Sequence, residues 1–218
     1  MPISFVGAAT GTNTATLPSF QPGDIALAFA FRDGSATNPT IPGTFTNITN
    51  TLDTTSGSGS VGWRRLLASD TTIGTWTNAS RCVVGVYRGC EPFITPVGGG
   101  ANNNGTTNAS VGLNTFTMTR GDGTSWVIGF VGHRSVDTDL GTLWTNMGSL
   151  RDNTADATAE TCLQDTNGGV SSWSTQTRNI GGTGSGWVSR TVELLALPTQ
   201  LDFIPSVAAL QLAHSMGL

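Results

Sequence analysis

One arrangement of residues occurs twice in this chain, and it limits the fold more than any other feature. Ala26-Leu27-Ala28-Phe29-Ala30-Phe31-Arg32 is an apolar strand closed by an arginine, and residues 128–134 repeat the pattern, closing on Arg134. Phe45-Thr46-Asn47-Ile48 is echoed by Trp144-Thr145-Asn146-Met147. Asp70-Thr71 with Thr75-Trp76-Thr77 is echoed by Asp165-Thr166 with Ser172-Trp173-Ser174, and each half then ends in an apolar strand, at 81–88 and 186–195. The spacing drifts only from about 102 residues (Ala26 to Ile128) to about 95 (Asp70 to Asp165), always in the same order. A repeat of nearly half the chain is too long for a solenoid. Two similar four-strand units in one chain are what an eight-stranded, jelly-roll-like β-sandwich requires, being two Greek keys packed face to face. Two separate small sandwiches are the alternative, but each would bury too little apolar surface alone.

Alternation of apolar and polar residues predicts strands over 24–31, 61–69, 81–88, 125–132, 158–165 and 187–195. Turn chemistry separates them: Arg32-Asp33-Gly34, Asn38-Pro39, Ser56-Gly57-Ser58-Gly59, Asn104-Gly105, Gly121-Asp122-Gly123, Asn167-Gly168-Gly169 and Gly181-Gly182. No capped helical periodicity precedes residue 200. A 37% hydrophobic share with 29 glycines suits short, half-buried strands joined by tight turns. Disorder needs low hydrophobicity with high net charge, whereas only 11% of residues are charged and the net charge is −4. The expected organisation is therefore an all-β sandwich over 1–197, followed by a tail or arm over 198–218. Pro198 and Pro205 interrupt pairing there, and 206–218 reads as a short helix needing something to dock on.

All ten basic residues are arginines, the pI is about 4.9, and no basic run exists. That excludes the electrostatic footprint of a nucleic-acid binder and of a polybasic membrane anchor. The N-terminus has neither a basic nor an apolar leader segment, and no apolar stretch is long enough to span a bilayer. A soluble product made in a cytoplasm is expected. Lys and Glu are depleted at protein interfaces, so their scarcity here fits a surface partly covered in an assembly. Cys82, Cys90 and Cys162 have no metal spacing and are odd in number, which argues against a disulfide framework. A thiol inside an apolar strand, as at Cys82, acts as a small core residue.

The candidates for chemistry each meet a plainer reading. His133 and His214 are the only histidines, no G-x-S-x-G is present, and His133 reads as a structural strand-end residue. Glu91, Glu160 and Glu193 stand alone rather than in catalytic pairs. Asp137-Thr138-Asp139 offers hard oxygen ligands for Ca²⁺, but without an EF-hand pattern. Arg120-Gly121-Asp122 spells the integrin-recognition tripeptide and also reads as a hairpin turn before the strand at Ser125. The glycosylation sequons at Asn47, Asn78, Asn104 and Asn108 are expected by chance in a chain rich in Asn and Thr. Trp76 and Trp173 hold equivalent places in the two halves: exposed, they would stack on sugar faces; buried, they would cap the ends of the sandwich. The expectation is a protein with no enzymatic activity, cofactor or metal.

One set of motifs runs from Gly23 through Ile25-Ala26-Leu27-Ala28-Phe29 to Gly34, with Gly74-Thr75-Trp76-Thr77-Asn78 and Val84-Gly85-Val86-Tyr87-Arg88-Gly89. Asp122-Gly123-Thr124-Ser125-Trp126, Gly132-His133-Arg134-Ser135, Asp165-Thr166-Asn167-Gly168-Gly169 and Ser185-Gly186-Trp187 extend the set over roughly residues 4–196. With these motifs the sequence resembles a group of phage-encoded β-sandwich proteins found among virion structural genes. The resemblance implies an accessory or decoration protein packing on the capsid or tail, located in the virion, a homo-oligomer contacting other virion proteins. No catalytic residues transfer with it. A receptor-binding tail or fibre domain that recognises a host-surface glycan is the alternative. Leu201, Phe203, Ile204, Val207, Leu210, Leu212 and Met216 give the tail an apolar surface and are the candidate assembly contacts, and residues 1–4 are expected to lie against neighbouring protein with them.

Overall fold

A computed structural model describes residues 2–134, 140–155, 158–182 and 185–198, without the side chains of 50–53. The chain is all-β and forms two five-stranded antiparallel sheets packed face to face. The first sheet contains β1 (Ser4–Gly11), β2 (Ile25–Asp33), β3 (Thr46–Asp53), β4 (Gly57–Arg65) and β5 (Arg81–Arg88) in the order β1-β5-β2-β4-β3. The second contains β6 (Val97–Gly105), β8 (Trp126–His133), β9 (Ser149–Ala155), β10 (Glu160–Asp165) and β12 (Trp187–Leu194) in the order β6-β12-β8-β10-β9. A small ribbon of β7 (Val111–Leu113) with β11 (Gln176–Arg178) completes the strands.

The two orders are the same order. Replacing β1, β5, β2, β4 and β3 by β6, β12, β8, β10 and β9 turns one sheet into the other. The repeat read from the sequence is thus a repeat of whole sheets, each half of the chain completing one of five strands rather than the expected four. Its phase needs a one-residue correction. Ile25, Leu27, Phe29 and Phe31 face the sandwich interior, and so do Trp126, Ile128 and Phe130. Ala26, Ala28 and Ala30 face outward, as do Val127 and Val131. Leu27 therefore corresponds to Ile128, not Ala26 as the sequence pairing had it. With a side-chain period of two, that single slip exchanges the faces.

The central strands are apolar on both faces because both faces are covered. Inside, residues of both sheets form one core in which the Phe29 and Phe130 rings sit 5.7 Å apart. Each such ring, fully buried, contributes about 1.5–3 kcal/mol. Outside, Leu17, Phe45, Leu66, Ile73 and Trp76 cover the first sheet. Leu113, Leu140, Trp144, Trp173 and Ile180 cover the second. Glycine admits the large rings: a Cβ at Gly132 would lie 2.5 Å from the Phe31 ring.

The edges are built differently from the centre. Pairings among the inner strands (β2 with β4 and β5, β8 with β10 and β12) run without a break in register. Every pairing that involves an edge strand (β1, β3, β6 or β9) contains a register shift. Bulged edges resist strand-to-strand addition of a second chain.

Candidate assembly surface

The two sheets are sewn together at the end of the sandwich where β5 and β12 finish. Glu91 N–H donates to Leu195 O (2.8 Å), Leu195 N–H to Pro96 O (2.8 Å) and Leu197 N–H to Gly89 O (2.8 Å). Ion pairs brace the same end. Arg88 forks onto Asp24 at 2.9 and 2.7 Å. Arg65 donates to Glu91 O (2.8 Å) and Gly23 O (3.2 Å). Arg120 donates to Glu91 Oε2 (2.8 Å) and Ala196 O (2.6 Å), and Glu91 Oε1 accepts from Phe93 N–H (2.9 Å).

The result is a stiff pedestal under the β5–β6 loop. Its anchor, Glu91, is buried, yet its tip is apolar and in water: Phe93 is 76% and Ile94 62% exposed. Leu67, beyond the end of β4 on this side, is also exposed. Adjacent large apolar side chains held in solvent beside a buried, hydrogen-bonded anchor make this loop a candidate contact surface. Beside it, a groove of about 320 Å³ opens over Trp126, lined by Pro2, Gly123, Thr124, Ala196 and Leu197. Beneath the groove lies a packed aromatic group. Trp126 stands edge-on to Tyr87 at 6.2 Å, Tyr87 to Phe5 at 5.6 Å, and the Arg151 guanidinium lies 4.2 Å above the Phe5 ring. Asp165 holds this group together, accepting from Arg151 Nε (2.6 Å) and from the Tyr87 hydroxyl (3.1 Å). Burial first, and the nearby Asp165 carboxylate second, raise the Tyr87 pKa well above that of a free phenol. Tyr87 therefore stays a neutral donor.

Arg120-Gly121-Asp122 sits at this end as a structural turn. Its arginine is committed to Glu91 and Ala196 O, and Asp122 Oδ1 accepts from Thr124 N–H (2.9 Å) and Oγ1 (2.7 Å). Those Thr124 bonds lower the Asp122 pKa. Glu193 closes the neighbouring turn, accepting from Gly99 N–H (2.9 Å), Thr119 N–H (2.6 Å) and Arg120 N–H (3.0 Å). Burial alone would raise its pKa; the backbone donors outweigh burial and hold it below the usual range.

Family models, curated proteins and solved structures give no match to this chain.

The remaining sequence candidates fall elsewhere. His133 is fully buried at the opposite end, its Nε2 2.8 Å from Asn108 Oδ1 and 3.2 Å from Ser185 Oγ. Asn108 Nδ2 donates to Gly181 O (2.7 Å), so its Oδ1 faces the ring and accepts. Nε2 then carries the proton and has no lone pair with which to activate Ser185. Glu91, Glu160 and Glu193 are all buried on separate strands or turns. Trp76 and Trp173, the proposed sugar platforms, are 0% and 6% exposed. They close the outer faces of the two sheets rather than the ends of the sandwich, and neither ring offers a face to a ligand. Burial pushes the Cys82, Cys90 and Cys162 thiols up to about 12.

Among the described residues no three His, Cys, Asp or Glu side chains come together as a metal cluster. Asp137, Asp139, His214 and the tail contacts Leu201, Phe203, Ile204, Val207, Leu210, Leu212 and Met216 lie outside the described residues, as does the expected helix at 206–218. The exposed Phe93-Ile94 tip escaped sequence reading. Its signal is a pair of large apolar residues between two prolines, Pro92 and Pro96, where a polar turn is the norm.

Proposed function

We propose that this chain is a non-catalytic structural component of a bacteriophage particle, an accessory or decoration protein that packs on capsid or tail through the end where its chain leaves the sandwich. The phage assignment rests on the motif resemblance. One structural observation carries the mode of attachment: Phe93 and Ile94 are exposed, with Phe93 N–H bound to the buried Glu91, at the end where the chain leaves the sandwich. The bulged edges point the same way, since they disfavour assembly by strand addition. The exposed tip offers a contact without using the sheets.

Two truncation and substitution variants test this. Removing 198–218 leaves every described bond of the sandwich in place, because the last of them is made by Leu197. The truncated chain is expected to stay folded and to lose binding to particles. Phe93→Ser with Ile94→Ser is expected to weaken binding without changing thermal stability. Normal particle binding by both variants would refute attachment through this end. Mass spectrometry of purified particles, with labelled electron microscopy, decides between head and tail, and its failure to find the chain would refute the virion assignment. The glycan-binding alternative has lost the aromatic platforms on which it stood.

A further inference from the structure

We propose that the cavity at the β2–β3 loop binds a neutral sugar unit carrying an acetamido group. The site is independent of the attachment surface and of the two buried tryptophans. It emerges when one half of the molecule is set against the other. With Phe29 matched to Phe130, the strand pairings match Val61 to Leu163, and hence Ser60 to Cys162 and Gly62 to Gln164. The loops that cover these strands match as well. Ser60 Oγ donates to Pro39 O (2.7 Å), as Cys162 Sγ donates to Leu140 O (3.2 Å). Phe45 N–H donates to Pro42 O (2.9 Å), as Met147 N–H donates to Trp144 O (3.0 Å).

What the two loops enclose differs. In the second half the Gln164 carboxamide fills the loop: its oxygen accepts from Trp144 N–H (2.9 Å), and its Nε2 donates to Thr142 O (2.9 Å) and Leu140 O (3.4 Å). In the first half the matching residue is Gly62, which brings no side chain, and the counterpart of Trp144 is Pro42, which has no N–H. Phe45 and Ile41 close over Gly62, 3.3 and 3.4 Å from where a Cβ would stand. The same two residues line a cavity of about 380 Å³ with Asn38, Thr40, Pro42 and Asn47. That volume lies within the ~300–1,000 Å³ of small-molecule sites. None of its lining residues is charged, so a charged ligand would lose water there without gaining a counter-ion. The proline, isoleucine and phenylalanine side chains suit the C–H face of a sugar ring, and the Asn38, Thr40 and Asn47 side chains suit its hydroxyls. Asn38 Oδ1 is buried without a hydrogen-bond partner, so this amide has bonding capacity unspent. An acetamido group supplies, from a separate molecule, the amide that Gln164 supplies to the matching loop.

Titrating N-acetylglucosamine into the isotope-labelled full chain and following its amide resonances by NMR tests this. Saturable shifts at millimolar sugar are expected, confined to the backbone amides of Thr40, Ile41, Gly43 and Asn47 and the side-chain amides of Asn38 and Asn47. Asn38→Ala with Asn47→Ala is expected to weaken binding about tenfold by removing hydrogen-bonding partners. Asn47 is exposed, so Asn47→Ala alone keeps the fold and still weakens binding if the double variant unfolds. Glucose, which lacks the acetamido group, is expected to bind about tenfold more weakly. Shifts centred elsewhere, no saturable shift, or full binding by Asn47→Ala and the double variant would overturn the site. An equal response to glucose would overturn the acetamido assignment. Shifts at these residues with the peptide Gly-Gln-Gly but not with the sugar would give the cavity to a glutamine of a partner protein and overturn the sugar reading.

Discussion

Replacing Arg120 by alanine probes the pedestal directly. The side chain is 22% exposed, while that of Glu91, its partner, is only 3% exposed. Arg120→Ala removes two charge-assisted hydrogen bonds, to Glu91 Oε2 and Ala196 O, and leaves the Glu91 carboxylate facing a hole. Stripping one partner from a fully buried pair costs about 3–5 kcal/mol. Arg120 retains some contact with solvent, so water reaches the vacated space and relieves part of that penalty. A loss of about 2–3 kcal/mol follows, read as a shift in the urea midpoint at unchanged m-value. Glu91→Gln in the same background isolates the pair, with a coupling energy of about 1–3 kcal/mol expected from the double-mutant cycle. Asp122→Ala, which loses only the turn bonds to Thr124, is expected to cost less than about 1 kcal/mol and to leave particle binding intact. An Arg120→Ala protein within about 0.5 kcal/mol of wild type, or additive with Glu91→Gln, would refute the clamp. Abolished binding in Asp122→Ala would revive the tripeptide as a recognition element.

Three further outcomes are expected. In the native protein Cys82, Cys90 and Cys162 stay silent to a thiol reagent at pH 8, and all three react after unfolding, as buried thiols raised to about 12 require; rapid labelling without denaturant contradicts this. Glu193, with its folded pKa held below the unfolded value near 4.5, contributes stability above that value and loses it as pH falls through the lower folded one. Glu193→Gln should therefore flatten the decline in stability below pH 4.5, and an unchanged acid limb would rule that contribution out. Gly132→Ala places a methyl 2.5 Å from the Phe31 ring and should cost about 1–3 kcal/mol by overpacking, measured by thermal or urea unfolding; a neutral result would mean that the ring has room to move.

Six of the twelve strands among the described residues were legible in the sequence, and they are the strands with an apolar run to read. β2, β4, β5, β8, β10 and β12 are buried on one or both faces, so their side chains declare them. The four edge strands were not found. β6, with the sequence Val-Gly-Gly-Gly-Ala-Asn-Asn-Asn-Gly, has no alternation at all, and its place comes from its bonds to β12. Edge strands have to discourage further pairing, and the polar or glycine residues that do so also erase the strand signal. The equivalence of Trp76 and Trp173 was legible, but not which face they cover, since a repeat seen in sequence lacks the phase that burial imposes. The exit-end surface was half legible: the apolar tail stands out in the sequence, whereas the pedestal joins Glu91, Arg120 and Ala196 from three distant segments.

Under the proposed attachment, the two halves also give a reason for contact to concentrate at one end. Each sheet has two apolar faces, one buried against the other sheet and one covered by the loops of its own half. Among the described residues the central strands therefore leave little open sheet face for a partner, although Leu143 and Leu150 remain exposed. The edges are bulged, which removes the second common way for β-proteins to associate. What remains is the two ends of the sandwich. At one of them His133, Asn108 and Ser185 close on each other in a buried hydrogen-bonded group. At the other, ion pairs and backbone bonds lock the sheets together, and the locked frame then presents Phe93 and Ile94 to solvent. Ordering an exposed apolar pair gains nothing within the monomer, because its area stays wet. Burial against another protein at about 25 cal/mol per Å² is where such a pair would return stability, and a frame already rigid has little entropy left to lose when that contact forms.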